Sequence, residues 1–385
     1  MLEPGTSSDL GDDLLGSLYI KNGRSINGGP IELLLKDGKI AEIAPKLINA
    51  DAEPEIDLAG ESYVSAGWID DHVHCYEKLS LYYDTPDEVG YPTGVTTVID
   101  AGSTGADNIG DFYNITRDKK TNVYAMINIS KTGILAQDEL VDMNRLQFEP
   151  FQKAIADYPD FIVGMKARIS KSVVVDNGIK PLIAAKKFQR KLDRQLPLMV
   201  HVGTNPPELS EILAVMDRGD ILTHCFNGKE NGILNHDDKV KEFVFKAIEK
   251  GIIFDIGHGT DSFNFHTAAI AFKNNIYPQS LSTDIYHKNR ENGPVYNMAT
   301  CIEKLLYLGL SIKQILPMIT SVPAGNFGLT TKGRLVPGLD ADLTIFDLED
   351  GVTDLTDSDG YTKAATKLVR PQYSIIGGKV YSIGE

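Results

Sequence analysis

The sequence lacks the features of several classes of protein. No apolar run approaches the roughly 20 residues that a transmembrane helix needs. Acidic residues outnumber basic ones, 53 to 38, and the formal net charge of −15 argues against nucleic acid and anionic membranes, which are bound mainly through basic patches. No recognisable glycine-rich phosphate loop follows the last strand-like segments. We therefore expect a small-molecule substrate, with neither nucleic acid nor membrane as a partner.

Cysteine is also scarce, with three residues in a chain of 385. An odd and low number of cysteines fits a reducing compartment better than a disulfide framework. Residues 1–16 are acidic, unlike a secretory signal, and we expect them to form a disordered leader. The sequence thus predicts a cytoplasmic protein, and it leaves open whether the chain forms a homo-oligomer.

Short β-rich runs alternate with longer amphipathic stretches between residues 63 and 285. This alternation is typical of βα units in a parallel sheet. The predicted strands are Tyr63–His72, Gly94–Ala101, Asn122–Ile129, Phe161–Ile169, Leu196–Val202, Asp220–His224, Gly251–Ile256 and Ser280–Asp284. Eight such units, each about 30 residues long, predict a (β/α)8 TIM barrel over residues 63–330.

Both flanks of this region have the character of β-structure. In segment 17–62, Asp37-Gly38 lies between two strand-like runs, which is a hairpin signal because such a turn tolerates positive φ. Near the other end, segments 341–347 and 373–380 are again β-like. Since neither flank is long enough to bury a core alone, we expect residues 17–62 and 331–385 to form one small β-sandwich. The predicted fold class is α/β, a barrel with this sandwich attached.

Two histidines, His72 and His74, end the first predicted strand. Strand alternation puts residues two apart on one face, so both imidazoles can approach a single point. Taken alone the pair is weak evidence for a metal site, because a histidine more often serves packing or hydrogen bonding. Further ligands at equivalent strand ends would decide the matter.

The other predicted strands do end in residues of this kind. In a parallel barrel the carboxyl ends of the strands meet at one mouth, where sites are built. The side chains at or near these ends are His72, His74, Lys166, Arg168, His201, His224, His258 and Asp284. Five of the eight histidines of the chain are among them, which packing alone does not explain. Neutral imidazoles and carboxylates suit a borderline divalent ion such as Zn²⁺.

Lys166 is unusual in this set, because an ammonium group carries no free lone pair and repels a cation. Burial lowers the pKa of a lysine, and a neutral amine can add carbon dioxide to become a carbamate, an anionic ligand able to bridge two ions. The alternative is a lysine paired with a neighbouring acid. Its position favours the carbamate.

The strand-end residues resemble the metal ligands of the amidohydrolase superfamily. The resemblance rests on the segment Gly67–His74, on Lys166 and on Ser282-Thr-Asp284, and it extends to segment 320–343, which is similar to the superfamily's return from barrel to β-sandwich. The chain most resembles the amidohydrolase/deacetylase group, some members of which have been labelled adenine deaminase or dihydroorotase by analogy. The resemblance implies that one ion is held by His72, His74 and Asp284 and a second by His201 and His224, with carboxylated Lys166 bridging them.

Such a centre predicts hydrolysis. Two ions that share a hydroxide would lower the pKa of water from 15.7 toward about 7 and polarise a substrate carbonyl. Asp284 would accept the proton of that hydroxide and pass it to the leaving group, as general base and then general acid. We therefore hypothesise cleavage of an amide or ester bond, as in a deacetylase.

Two further residues bear on the substrate. Arg168 lies two positions beyond Lys166, on the same strand face, and its guanidinium could grip a substrate carboxylate unless it pairs with a loop acid. His258 could hydrogen-bond the substrate carbonyl, or could simply order its loop. A cationic rim favours a small acylated carboxylate, such as an N-acyl amino acid or an O-acyl hydroxy acid.

Three alternatives stay open at this point. Purine deamination would use the same hydroxide against an aromatic carbon, and ring opening of the dihydroorotase type would use it against a cyclic amide. A barrel kept only as a scaffold is disfavoured, because all six candidate ligand positions hold competent side chains.

Overall fold

The computed structural model of the protein describes residues 16–48 and 54–384. The predicted leader, residues 1–16, lies outside the described residues except for Gly16. Five strands precede the barrel: β1 (Ser17–Arg24), β2 (Pro30–Lys36), β3 (Lys39–Ala44), β4 (Glu55–Asp57) and β5 (Tyr63–Ala66). The barrel strands are β6 (Trp68–Val73), β7 (Val95–Ala101), β8 (Asn122–Asn128), β9 (Ile162–Ile169), β10 (Leu198–Val202), β11 (Ile221–Thr223) and β12 (Ile253–Phe254). Three strands follow: β13 (Leu343–Thr356), β14 (Thr362–Ile376) and β15 (Lys379–Ser382).

Helices connect the barrel strands and cover their outer faces. The α-helices span Pro86–Val89, Ile109–Thr116, Phe148–Asp157, Lys171–Val174, Lys180–Lys191, Leu209–Val215, Glu242–Lys250, Phe265–Lys273, His287–Asn292, Met298–Tyr307, Ile312–Ile315 and Ser321–Asn326. Short 3-10 turns lie at Tyr91–Thr93, Met143–Arg145, Val175–Asn177 and Leu316–Ile319. Across residues 16–48 and 54–384, no helix has the length and apolar character to cross a membrane.

The barrel is a parallel sheet in the chain order β6 to β12. Residues 280–285 close it, because Ser280 bridges Asp255 next to β12 and Ile285 bridges Val73 of β6, both in parallel. The predicted eighth strand thus closes the ring through isolated bridges. Every residue of β6, β7 and β9 is buried, as expected for strands covered on both faces.

Apolar side chains fill the lower interior of the barrel, as is usual for this fold. From the strands these are Ile69, Ile99, Ala101, Met126, Val163, Met199 and Ile221. The segment after helix Ser321–Asn326 adds Phe327 and Leu329 to the same cluster. Apolar packing therefore closes the interior of the barrel below the mouth.

The terminal strands form a second sheet in the order β15-β14-β13-β5-β1-β2-β3, with β4 beside β1. Alternating residues such as Ile31, Leu33 and Leu35 of β2 share one face and enter a separate core. The β2–β3 hairpin turns at Asp37-Gly38, where both residues have positive φ, 49° and 74°, as the sequence predicts. Both ends of the chain thus build this sheet, which confirms the predicted fold class.

The predicted first barrel strand, Tyr63–His72, is two strands in the structure. Tyr63–Ala66 pairs with β13 of the terminal sheet, whereas the barrel strand begins at Trp68. Gly67 makes the break, since a Cβ at this position would lie 2.1 Å from Thr96 Oγ1. The backbone passes from one sheet to the other at a point where only glycine fits.

The β13–β14 hairpin is longer than its sequence indicates. Its strands have 14 and 15 residues, and its tip reaches the barrel, where Ser358 N donates to Phe263 O at 2.9 Å. The outer part of β13 alternates between half-buried and exposed residues and is poor in apolar side chains, so only residues 341–347 stood out as β-like. The terminal domain therefore touches the region of the mouth.

A buried ion pair joins the two sheets. Lys332 Nζ donates to Asp342 at 2.5 Å, and Asn122 of β8 donates to the same carboxylate at 2.9 Å. We expect Lys332→Met to lower the free energy of unfolding by about 3–5 kcal/mol, because it leaves the buried Asp342 carboxylate without its cation. Guanidinium titration measures this loss. Lys39→Met, which removes a more exposed pair with Asp340, should cost only about 0–1 kcal/mol, and equal costs for the two variants would refute the expectation.

Candidate metal centre

The mouth of the barrel brings the six candidate ligands together. His72 and His74 lie at the end of β6, Lys166 on β9, His201 on β10, His224 just after β11 and Asp284 on the closing segment. His72, Lys166 and His224 are 0–1% exposed. Side chains from positions 212 residues apart therefore converge, because parallel strands end on one rim.

One group of ligand atoms surrounds the Asp284 carboxylate. Nε2 of His72 and Nε2 of His74 lie 3.3 and 3.2 Å from the same oxygen, Asp284 Oδ1. The ligand atoms of these three residues all lie within 4.8 Å of one another. Two imidazole nitrogens and a carboxylate oxygen at this separation fit a divalent ion such as zinc.

A second group lies on the other side of the carboxylate. His224 Nε2 is 2.9 Å from His201 Nδ1 and 4.0 Å from Asp284 Oδ2. Lys166 Nζ lies 3.0 Å from His72 Nε2. Asp284 therefore stands between two sets of nitrogen atoms, with one carboxylate oxygen toward each.

Hydrogen bonds on the far side of the rings orient the histidines. His224 Nδ1 donates to Gly257 O at 2.6 Å, and since a carbonyl only accepts, Nε2 is left as the lone-pair atom facing the site. His72 Nδ1 lies 2.9 Å from Thr223 Oγ1, which donates to Asp255 at 2.7 Å. Such partners fix ring orientation and raise ligand basicity in metal sites.

Two of the candidate ligands have strained backbones. His224 and Asp284 have φ of 66° and 49°, in a region that non-glycine residues seldom occupy. Asp284 is held there because its N donates to His72 O at 2.6 Å and its own carbonyl accepts from Asn289 at 2.9 Å. Strain of this kind collects at functional sites, where surrounding structure over-determines it.

Burial sets the charge of the nitrogen ligands. It lowers the pKa of His224 to about 4 and holds the pKa values of His72 and His201 well below the ordinary histidine range. The Asp284 pKa is lowered: burial would raise it, but the hydrogen bond with His74 and the nearby His224 and Lys166 outweigh that effect. At neutral pH His72, His201 and His224 are thus neutral and Asp284 is ionised, which are the protonation states that bind metal.

Lys166 is fully buried, and burial lowers its pKa to about 7. Its ammonium contacts His72 and Met199, and within residues 16–48 and 54–384 it makes no ion pair with an acid. A Cβ on Gly102 would lie 2.5 Å from Lys166 Cβ, so the backbone leaves room for this side chain. The alternative of a lysine paired with a neighbouring acid therefore has no partner among these residues.

Arg168 points to the same mouth but has an acidic partner. Its Nη1 donates to both oxygens of buried Glu139, at 3.1 and 3.3 Å, and its Cζ lies 5.3 Å from the centroid of the Tyr82 ring. The Tyr82 centroid is in turn 5.8 Å from that of His74. Arg168 is 4% exposed, and in the described part of the chain it makes no other hydrogen bond.

His258, the other expected substrate contact, has protein partners at both ring nitrogens. Its Nδ1 donates to Gly259 O at 2.9 Å and its Nε2 accepts from Lys304 at 2.7 Å. The ring also stacks on Phe263, with centroids 4.8 Å apart. Both ring nitrogens thus have partners within the protein, an arrangement that favours the loop-ordering alternative.

Sequence reasoning missed the residues that support the site. Thr223 and Asp255 form a chain of hydrogen bonds behind His72. Ser103 Oγ lies 2.9 Å from His74 Nδ1, and Glu139 forms an ion pair with Arg168. Thr223 and Asp255 are polar residues at the ends of apolar strands, a signal that could have revealed them. Glu139 lies in a loop far from the predicted strands, and nothing in its local sequence marks it.

Known proteins share the sequence and architecture of this chain. A curated protein named deacetylase from Enterococcus faecalis is 55% identical over 365 residues, covering 94% of this chain and 98% of its own. A crystal structure described as that of an adenine deaminase is also 55% identical, with a TM-score of 0.93 and coverage of 95% and 99%. One described as a dihydroorotase is 32% identical, with a TM-score of 0.87 and coverage of 95% and 98%. A family model for a deacetylase-like composite domain matches residues 335–382.

The closed barrel, its terminal sheet and these two solved structures define an enzyme of the amidohydrolase superfamily. The identity to the Enterococcus protein extends over nearly the whole of both chains. The chain belongs to the deacetylase family of that superfamily.

The low pKa of His224 makes the stability of the metal-free protein depend on pH. Folded His224 stays neutral down to about pH 4, whereas the unfolded chain protonates it near the ordinary value of 6.5. The unfolded state therefore binds more protons as the pH falls through this window, and this histidine should lower the free energy of unfolding by about 3 kcal/mol between pH 7 and pH 4.

Denaturant titrations of metal-free protein at both pH values measure this effect. The advantage of the wild type over His224→Gln should shrink toward acid pH, whereas the exposed His236→Gln variant should follow the wild type. A His224→Gln variant with the wild-type pH dependence would show that the histidine is not held neutral.

Proposed function

We propose that this enzyme is a metal-dependent deacetylase that hydrolyses an amide or ester bond of a small acylated carboxylate. The observation that carries the proposal is the convergence of His72, His74 and Asp284 on one point, with Lys166 and His224 beside them. The name of the 55% identical Enterococcus relative supports the same reaction class.

The proposed cofactors are two divalent ions, with Zn²⁺ the ion best suited to the imidazole-rich donor set. His72, His74 and Asp284 would hold one ion, His201 and His224 the other, and a carbamate formed by Lys166 from carbon dioxide would bridge them. Bound ions of this kind activate water at neutral pH and polarise a carbonyl oxygen. The pKa of Lys166, about 7, supports the carbamate because the neutral amine is the reactive form.

Asp284 is the proposed proton carrier. Its lowered pKa keeps the carboxylate ionised at neutral pH, so that it can accept a proton during attack on the carbonyl. Gly259 packs against its Oδ2 and His72 and His74 against its Oδ1, so the carboxylate has little freedom to rotate. A fixed carboxylate can return the proton to the leaving nitrogen or oxygen.

Arg168 is the proposed anchor for the substrate carboxylate. Glu139 holds its Nη1, which fixes the orientation of the planar guanidinium and leaves its other donors without a hydrogen-bond partner among the described residues. Tyr82 and Tyr286 pack edge to face, with centroids 5.1 Å apart, and form an aromatic wall beside His74. N-acyl amino acids and O-acyl hydroxy acids have the required carboxylate close to the scissile acyl group.

Three free cysteines support a cytoplasmic location. Cys75, Cys225 and Cys301 are all buried, and burial raises their thiol pKa values, that of Cys301 to about 12. They are inert thiols that pack in the core, as in proteins of a reducing compartment.

The second candidate function is deamination of adenine, because a structure with 55% identity is described as an adenine deaminase. Adenine has no carboxylate, so it would leave Arg168 without a ligand. Ring opening of a dihydroorotate-type amide is favoured less, since the structure so described is 32% identical. Acetate release and ammonia release separate these reactions directly.

A substrate panel with an Asp284 variant tests the reaction. The zinc-loaded enzyme should release acetate from N-acetyl amino acids or O-acetyl hydroxy acids and no ammonia from adenine. Asp284→Asn should lower kcat by about 10²- to 10⁴-fold, because the proton carrier is lost. Asp261→Asn, which removes a nearby acid outside the ligand set, should keep its activity. Ammonia from adenine without acetate release, or a fully active Asp284→Asn variant, would refute the proposal.

The role of Arg168 can be measured separately. Arg168→Met should raise KM for a carboxylate substrate by about 10- to 100-fold, as expected for loss of a charged hydrogen-bond donor. A matched substrate whose carboxylate is replaced by a carboxamide should lose little by the same substitution. Equal effects on the two substrates would mean that Arg168 acts only through its ion pair with Glu139.

A further inference from the structure

A short backbone segment, Gly257–Gly259, lies against two of the candidate ligands, His224 and Asp284. We call this segment the wall of the site. Gly257 O accepts the hydrogen bond that orients His224, at 2.6 Å. A Cβ on Gly259 would lie 2.5 Å from Asp284 Oδ2, so the backbone here is in direct contact with the carboxylate. The position of this segment therefore determines where both ligands lie.

The closing segment of the barrel carries the same wall. His258 N donates to Ser282 O at 3.0 Å, and Gly259 N donates to Thr283 O at 2.9 Å. These two bonds tie the segment to the residues directly before Asp284. A shift of Gly257–Gly259 would therefore move the carboxylate through its own chain as well as through contact.

Lys304, on helix Met298–Tyr307, holds this wall from behind. Its Nζ donates to His258 Nε2 and to Pro294 O, both at 2.7 Å. His258 in turn restrains the wall, because its Nδ1 donates a hydrogen bond to Gly259 O. The two side chains link a barrel helix to the backbone beneath Asp284.

A structural role alone does not explain a lysine at position 304, because burying its amine lowers the stability of the fold. It is 1% exposed, burial lowers its pKa to about 8, and within residues 16–48 and 54–384 it makes no ion pair with an acid. A buried cation without a carboxylate partner costs stability, and an apolar residue would fill the same space at lower cost. Its hydrogen bond to His258 is the interaction that an apolar side chain would lose.

The hairpin tip holds the wall from the other side. Ser358 Oγ donates to Gly259 O at 3.2 Å and accepts from Phe263 N at 3.0 Å. Asp357, 2% exposed, accepts from Phe265 N at 3.0 Å. The terminal domain therefore contacts the same carbonyl group that His258 binds.

We infer that Lys304 is a positioning residue, which by holding His258 keeps the Gly257–Gly259 backbone against His224 and Asp284. Lys304 touches neither the substrate nor the proposed ions, and it acts through His258. The inference rests on the proposed function for its catalytic consequence, whereas its structural consequence can be measured independently.

Lys304→Met tests the inference in the full-length protein, with Lys332→Met as the matched control that removes a buried lysine at the opposite end of the barrel. Amide hydrogen exchange at His258 and Gly259 should accelerate at least about tenfold more in Lys304→Met than in Lys332→Met, after each rate is corrected for the variant's own loss of global stability. Zinc affinity, measured by chelator competition, should fall by about 10- to 100-fold only in Lys304→Met, as for other residues that orient ligands. For the acyl substrate, kcat should fall while KM changes little.

Ser358→Ala provides a second, milder variant on the hairpin. It should accelerate exchange at Gly259 less than Lys304→Met does, with a smaller loss of zinc affinity. Unchanged exchange at His258 and Gly259 in both variants would overturn the inference, as would equal losses of zinc affinity in Lys304→Met and Lys332→Met. Failure of the wild type to hydrolyse acylated acids would overturn the proposed function, and the exchange rates would still decide whether Lys304 holds the wall.

Discussion

Burial of nitrogen ligands around one carboxylate is the constraint on which the site depends. His72, His201, His224 and Lys166 lie together at the barrel mouth, and burial lowers the pKa of each of them. Asp284 is the carboxylate that these nitrogens surround. Burial favours the neutral form of these nitrogens, whose lone pairs can then bind a cation, and the ionised carboxylate supplies the first negative charge.

The fold brings residues that are distant in the sequence together at this site. Each parallel strand ends on the same rim, and each ligand is then fixed by contacts that its own strand does not supply. Thr223 and Asp255 orient His72, and Gly257 orients His224. The terminal sheet is part of the same system, because its long hairpin reaches the segment that supports Asp284. Both domains therefore contact the backbone segment that lies against Asp284.

Much of this architecture could be predicted from periodicity and strand-end chemistry. The buried strands are near-continuous apolar runs, and the residues that end them, such as His72, His224 and Asp284, are polar in a way that packing does not explain. Contacts between remote segments were not predictable. Whether His258 faces a substrate or Lys304 depends on a helix that begins 40 residues later, and the acid that pairs with Arg168 lies in a loop without a local signal. Periodicity describes one element at a time, whereas these contacts arise when elements pack.

The claim that the six strand-end residues form one dinuclear site is tested most directly by counting bound metal. Metal-free protein is dialysed against buffered zinc with and without bicarbonate, and the zinc bound per chain is measured by elemental analysis. A lysine-bridged pair predicts two ions per chain with bicarbonate, and fewer in its absence or when Lys166 is replaced by methionine. One ion or none per chain in the presence of bicarbonate would contradict the dinuclear site.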